Sequence, residues 1–301
     1  LLRTPDCHSN GKIPACKVQS KLSAMLAEAK QWADVSGCRY VTDLNRIIRS
    51  GYIGELIRVS EALQEKCIAR IADTIASKRE GLRLILIAGP SSSGKTSFAQ
   101  RLRIQLKVMG LAPVSISLDD YFKNRIDTPK TPMGEYDYEC LEALDVAAFN
   151  ADMTALLRGE AVVLPHYNFL TGKREWVEQR EPLSIRADQP IIVEGIHGLN
   201  ETLSVSVPRQ NKLKIYVSAL IQLNIDAHNR ISTTDARLLR RLVRDHQFRG
   251  ADALKTLKQW PDVREGEEKY IFPFQEDADV MFNSALLYEL AALHRYAVPM
   301  L

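Results

Sequence analysis

Five consecutive apolar residues, Leu84-Ile85-Leu86-Ile87-Ala88, run straight into Gly89-Pro90-Ser91-Ser92-Ser93-Gly94-Lys95-Thr96. An apolar run with charge before it and glycine after it is the pattern of a strand buried on both faces, as parallel sheets require. The eight residues that follow match G-x-x-x-x-G-K-[ST]. At that spacing backbone N–H groups wrap a phosphate, the lysine reaches its charge, and the Thr96 hydroxyl meets a magnesium ion. A helix opening at Lys95 aims its positive end at the same anion. Strand, loop and helix together confine the chain to α/β architectures with a phosphate seat at the end of a buried strand.

The rest of the chain agrees with that class. Helical spacing of apolar residues predicts helices over Lys21–Val35, Asp43–Arg49 and Ile53–Ser77, an N-terminal helical extension of residues 1–80 that opens with a loose Pro/Gly/Ser leader. Residues 81–301 read as one domain built around the phosphate loop. Its predicted strands are Leu84–Ala88, Pro113–Leu118, Pro190–Val193, Lys212–Val217 and Asp279–Phe282. Its predicted helices are Thr96–Met109, Leu141–Leu157, Asn224–Gln247 and Ser284–Tyr296. Strands alternating with helices imply a mostly parallel sheet covered on both faces.

Composition removes several classes. A chain 46% apolar holds enough for a core, and a net charge of +3 does not announce a nucleic-acid binder. No apolar run approaches the roughly 18 residues that span a bilayer. The first twenty residues, with Pro5, Asp6, His8, Asn10 and Gly11, lack the apolar stretch of a secretory signal. Five scattered cysteines (Cys7, Cys16, Cys38, Cys67, Cys140), never as CxxC, argue for a reducing compartment, the cytoplasm by default, and against a zinc cluster. The start at Leu1 without Met leaves open whether the chain is a fragment of a longer protein, and self-association is left open as well.

Chemistry at a phosphate loop also needs a metal-ordering acid and a group that orients the nucleophile. Asp119 and Asp120 close the second predicted strand, where alternation lets at most one of them face the nucleotide. Glu194 closes the third, Ile191-Ile192-Val193-Glu194-Gly195, in the position of a magnesium contact. The segment His228–Gly250 contains Arg230, Arg237, Arg240, Arg241, Arg244 and Arg249 but no lysine. Arginine favours a planar, bidentate grip on phosphate, so a phosphate-clamping lid is the first reading. A solvated, ion-paired helix is the second. A nucleic-acid patch is the third, weakened by the lack of interleaved aromatics for stacking.

Taken together, GPSSSGKTS (89–97), SLDDYF (117–122), EYDYECLEALD (135–145), LPHYNF (164–169), IIVEGIHGL (191–199) and RLLRRLVRDHQFRG (237–250) resemble the uridine kinase family of phosphate-loop kinases, which includes phosphoribulokinase-like members. The chain is most similar to a branch in which the kinase follows a region resembling part of threonyl-tRNA synthetase. The resemblance implies ATP and Mg2+ as cofactors and a small, nucleoside-like acceptor, with neither nucleic acid nor membrane as partner. It implies ATP contacts along Gly89–Ser97 and from Arg249, with Thr96, Glu194 and Asp119 around the magnesium. Asp119 becomes the general base, assisted by Lys95, Arg241 and Arg244. The acceptor falls to Asp137 on the ribose hydroxyls, Tyr167 and Phe169 along the ring, and Arg241 and Gln259.

Two departures fall on the acceptor side. Pyrimidine nucleoside kinases carry a base-reading histidine three residues after the pocket phenylalanine, where this chain has Gly172. They also carry an arginine just after the lid's Arg-Gly, where it has Ala251. The expectation is a kinase that tests poorly on uridine and cytidine, or discriminates weakly among bases, while still requiring a ribose-like diol. A sugar-phosphate kinase of the phosphoribulokinase type and a non-catalytic nucleotide-binding module are the alternatives.

Overall fold

A computed structural model describes residues 18–131, 134–176 and 181–301. The expected leader, with Cys7 and Cys16, lies almost wholly outside them. In chain order the elements are α1 (Ser20–Val35), α2 (Val41–Arg49), α3 (Ile53–Ser77), β1 (Leu84–Ala88), α4 (Lys95–Val108), β2 (Val114–Ser117), α5 (Val146–Leu157), β3 (His166–Asn168) and β4 (Lys173–Glu175). They continue with β5 (Ile191–Glu194), β6 (Lys212–Ser218), α6 (Thr233–Phe248), α7 (Ala253–Tyr270), β7 (Val280–Asn283) and α8 (Glu289–Ala297). No described helix is long and apolar enough to cross a membrane.

Five strands form one sheet in the order β2-β5-β1-β6-β7, with every pairing parallel. Period-two alternation divides the buried run of β1 between two cores. Leu84 and Leu86 face a layer built with Ile191, Val193 and Ile116, closed by Phe149, Met153 and Leu156 of α5. Ile85 and Ile87 face the opposite layer, where Phe98, Leu102 and Leu106 of α4 meet Ile68, Ile71 and Ile75 of α3. Each such side chain buried from water is worth about 1.5–3 kcal/mol, so α3 is a full wall of the core rather than an appendage to it. A third cluster joins Leu44 and Leu56 of α2 and α3 to Ala236 of α6, which seats the base of the arginine-rich helix.

Strand order sets the site. β5 lies between β1 and β2, and Glu194 pairs in register with both Ile87 and Ser117. The end of β5 therefore lies between the phosphate loop beyond β1 and the Asp119-Asp120 pair beyond β2. Ligands of parallel sheets collect at this edge.

Among the predicted boundaries that move, four have a clear local reason. β2 stops at Ser117, whose hydroxyl accepts the Asp119 N–H, and Leu118–Tyr121 becomes a 3-10 turn. The helix expected from Leu141 begins at Val146, where Asp145 caps it by accepting the Ala148 N–H. The helix expected from Asn224 begins only at Thr233, because Asp226 closes a turn on the N–H groups of His228 and Asn229, and Ser232 supplies the cap. The helix expected from Ser284 begins at Glu289, because Ser284 is committed to the carbonyls of Ser218 and Ser93. Three elements, β3, β4 and α7, have no counterpart in the sequence reading. The β3–β4 hairpin is only three residues per strand, and α7 carries Pro261 inside it.

Candidate active site

The phosphate loop is held open by residues that could hardly be other than they are. A Cβ on Gly89 would fall 2.0 Å from the Val217 carbonyl oxygen, so only glycine lets the loop cross β6. Gly94 adopts φ +88°, a left-handed turn that delivers the chain into α4. The Lys95 ammonium donates to the carbonyls of Gly89 (2.9 Å) and Pro90 (3.1 Å). Burial pulls its pKa down, while Glu194 and Asp119 push it back up. The N–H groups of Gly94, Lys95 and Thr96 bond no acceptor among the described residues, and the Ser92 and Ser93 hydroxyls are buried without partners. Unpartnered donors at a helix N-terminus, beside a lysine, fit a nucleotide's phosphates.

Carboxylates converge on the same place. Thr96 Oγ1 donates to Glu194 Oε1 at 3.0 Å. Burial raises the pKa of Glu194, opposed chiefly by Lys95. Burial likewise raises Asp119, opposed by Lys95 and Arg249. Asp120 points elsewhere: its Oδ1 accepts the Tyr167 N–H (3.2 Å) and pairs with His166 Nδ1 (2.9 Å), which ties the hairpin to the sheet. The two aspartates thus part company in a 3-10 turn and not by strand alternation. Among the described residues no cluster of three or more His, Cys, Asp or Glu stands ready to hold a metal.

The arginines of α6 divide by partner. Arg237 is buried, grips Glu267 of α7 with both Nη atoms and donates to the Ser91 carbonyl (3.1 Å). Arg240 is held by Glu289 of α8 and by the Ser284 carbonyl. Both brace the loop. Arg241, Arg244 and Arg249 instead share a single carboxylate, Asp245, with N···O distances of 3.2, 2.7 and 3.9 Å. Three guanidiniums on one buried acid leave surplus positive charge beside the loop, and Arg241 Nη1 also donates to Ser91 Oγ at 2.8 Å. Burial lowers the pKa of Arg241 and Arg249, with Arg244 adding repulsion.

The acceptor-side residues form an aromatic wall. Tyr167 is buried and Phe169 exposed, with ring centroids 5.1 Å apart, and Phe122 stands 5.5 Å from Tyr167. Arg249 lies over the Phe169 ring at 5.8 Å, which joins the wall to the end of α6. Asp137 spends Oδ1 on the N–H groups of Glu139 (3.0 Å) and Cys140 (3.2 Å). Gln259 stands exposed on α7, without a hydrogen bond to any of these residues.

Sequence reasoning missed four participants. Glu267 accepts the Ser91 N–H (3.0 Å) besides binding Arg237. Glu139 packs its stem against Gly266, where a Cβ would fall 2.4 Å from its own, and its pKa is pushed up to about 7 by burial. Asp245 and Arg125 complete the set. Glu139 and Asp245 lay within stretches already singled out; Glu267 and Arg125 lie in none of them.

These features define a phosphate-loop nucleotide-binding domain of the kinase type. The pattern that describes the Phosphoribulokinase / Uridine kinase family matches residues 84–287, more than half of the chain, which therefore belongs to that family. A uridine kinase of Chloroflexus aggregans is 30% identical over 202 residues, covering 66% of this chain and 85% of the relative. A uridine kinase of Schizosaccharomyces pombe is 31% identical over 182 residues, covering 60% and 35%. A crystal structure assigned to a fructose transport system kinase of Silicibacter sp. TM1040 superposes with a TM-score of 0.50 at 16% identity, over 71% of this chain and 98% of that one, a likeness of fold.

Proposed function

We propose that the chain transfers the terminal phosphoryl group of ATP, with magnesium, to a hydroxyl of a nucleoside-like acceptor. The observation that carries this reading is the convergence of Lys95, Thr96, Glu194 and Asp119 at three adjacent strand ends. When bound, magnesium neutralises charge on the phosphates and orients them. Thr96 and Glu194 would hold it. Lys95, Arg241 and Arg244 face the charge that spreads over the moving phosphoryl group, in a desolvated pocket where such contacts count most. Asp119 is set to accept the hydroxyl proton: burial makes it more basic, and the neighbouring Lys95 and Arg249 oppose that shift by favouring the carboxylate. Most of the acceleration comes from positioning, since the protein does little covalent chemistry in this reaction.

The acceptor reading rests on Asp137, Tyr167 and Phe169, which suit a vicinal diol and the flat face of a ring. The test is ATP consumption across nucleosides and small phosphorylated sugars, run with wild type and Lys95→Ala. Acceptor-dependent ADP release that Lys95→Ala abolishes, with the fold retained by circular dichroism, is the expected result. Removal of the acceptor's vicinal hydroxyls should cost more than a change of ring. Release at the wild-type rate by Lys95→Ala would place the chemistry elsewhere.

A further inference from the structure

The position left by Gly172 is not empty. A Cβ built on Gly172 falls 2.7 Å from both Cζ and Nε of Arg125 and 2.9 Å from its Cβ, and Gly172 has φ +69°. Glycine is therefore what admits the arginine: any other residue would be strained in backbone and would collide with the guanidinium. The seat is built from both sides. The Arg125 N–H donates to the Gly172 carbonyl (2.8 Å), Nε to the Tyr138 hydroxyl (3.2 Å) and Nη2 to the Phe169 carbonyl (2.9 Å). Nη1 bonds no acceptor among the described residues. Arg125 stands partly exposed beside the wall formed by Tyr138, Tyr167 and Phe169.

We infer that Arg125 is a specificity-determining residue that reads oxygen acceptors on the phosphate-accepting substrate. The inference rests on the acceptor-pocket reading above and adds to it the chemistry of the far end. A guanidinium carries donors only, so it favours a ring carbonyl or an anionic oxygen at that point and rejects an amino group. The expectation of weak base discrimination counted only the side chains at 172 and 251; a residue forty-seven positions earlier supplies the missing donor. The position of that donor was invisible in sequence because the β3–β4 hairpin brings it there.

Equilibrium binding by calorimetry, with a non-hydrolysable ATP analogue present, decides the matter. The probes are uridine, cytidine and ribulose 5-phosphate, against wild type, Arg125→Ala and Gly172→Ala. Uridine presents a ring carbonyl where cytidine presents an amine, and ribulose 5-phosphate presents phosphate oxygens. Wild type is expected to bind uridine or ribulose 5-phosphate at least tenfold more tightly than cytidine, and which of the two binds names the source of the oxygens. Both variants should weaken that probe on the order of 10- to 100-fold, because a charge-assisted bond is lost, and leave cytidine and nucleotide affinity within about threefold. Unchanged nucleotide affinity shows that the variants are folded. Wild type without the preference, variants that keep it, or no binding by any probe each overturns the inference. If the preference holds and yet no ATP is consumed, the phosphotransfer reading fails while the role of Arg125 stands.

Discussion

Thr96 Oγ1 donates to Glu194 Oε1 at 3.0 Å, joining the first turn of α4 to the last residue of β5. That bond spans the gap between phosphate loop and neighbouring strand, and it joins the two residues proposed to hold magnesium. Glu194→Gln should therefore raise the magnesium concentration for half-maximal activity by about tenfold or more, while metal-free nucleotide affinity stays near wild type. Thr96→Ser should be milder than Thr96→Val, which keeps the shape and loses the oxygen. Magnesium titrations of ATP consumption check both; equal effects on metal-free nucleotide binding would assign the pair to the fold alone.

The two neighbouring aspartates should separate kinetically. Asp119→Asn removes the proposed base and should lower kcat about 10²- to 10⁴-fold with ATP affinity preserved. Asp120→Asn weakens the anchor on His166 and Tyr167, so it should raise the acceptor KM several-fold with a smaller loss in kcat. Steady-state kinetics on both variants tests the assignment, and the reverse ranking would move the base to Asp120.

Glu267 is the buried counter-charge of Arg237, the two side chains being 0% and 2% exposed. Glu267→Ala leaves that arginine buried and unpaired, which typically costs about 3–5 kcal/mol. It also releases the Ser91 N–H and, with it, the phosphate loop. Denaturant unfolding should show the loss of stability, and nucleotide affinity should fall in any protein that remains folded. An unchanged midpoint would mean that the pair is replaceable.

Glu139 gives a pH signature. Its carboxyl, pushed up by burial to about 7 from a reference of 4.5, faces Arg241, Glu267, Lys95 and Asp137. Because the folded state holds this proton more tightly than the unfolded chain, its contribution weakens stability as pH rises between 4.5 and about 7 and is constant above. Glu139→Gln lacks that proton. Thermal melts across this range should show wild type and variant together at the acid end, with the variant gaining by on the order of 1–3 kcal/mol above neutrality. Parallel curves would show that Glu139 titrates normally.

Patterns confined to a few neighbouring residues were legible without a structure. The run Leu84–Ala88 and the glycine-lysine loop could form one local arrangement only, and Glu194, emerging from three apolar residues, declared its place at a strand end. Helices with unbroken apolar spacing, α1 and α3, were legible for the same reason. Where a polar side chain could close a turn on nearby N–H groups, as Asp226 and Asp145 do, periodicity overran the true start of the helix.

Tertiary structure alone decided which charges serve ligands and which serve the fold. Six arginines with similar spacing look alike in sequence. Arg237 and Arg240 are claimed by Glu267 and Glu289, which lie 30 and 49 residues further on, while Arg241, Arg244 and Arg249 must divide Asp245 among them. Likewise the Asp119-Asp120 pair is resolved by a 3-10 turn and a distant hairpin, and Gly172 acquires its meaning from Arg125. The reason is one of range. Backbone geometry and periodicity act across a few residues, whereas the partner of a buried charge is whatever the packing of separate elements brings within about 3 Å.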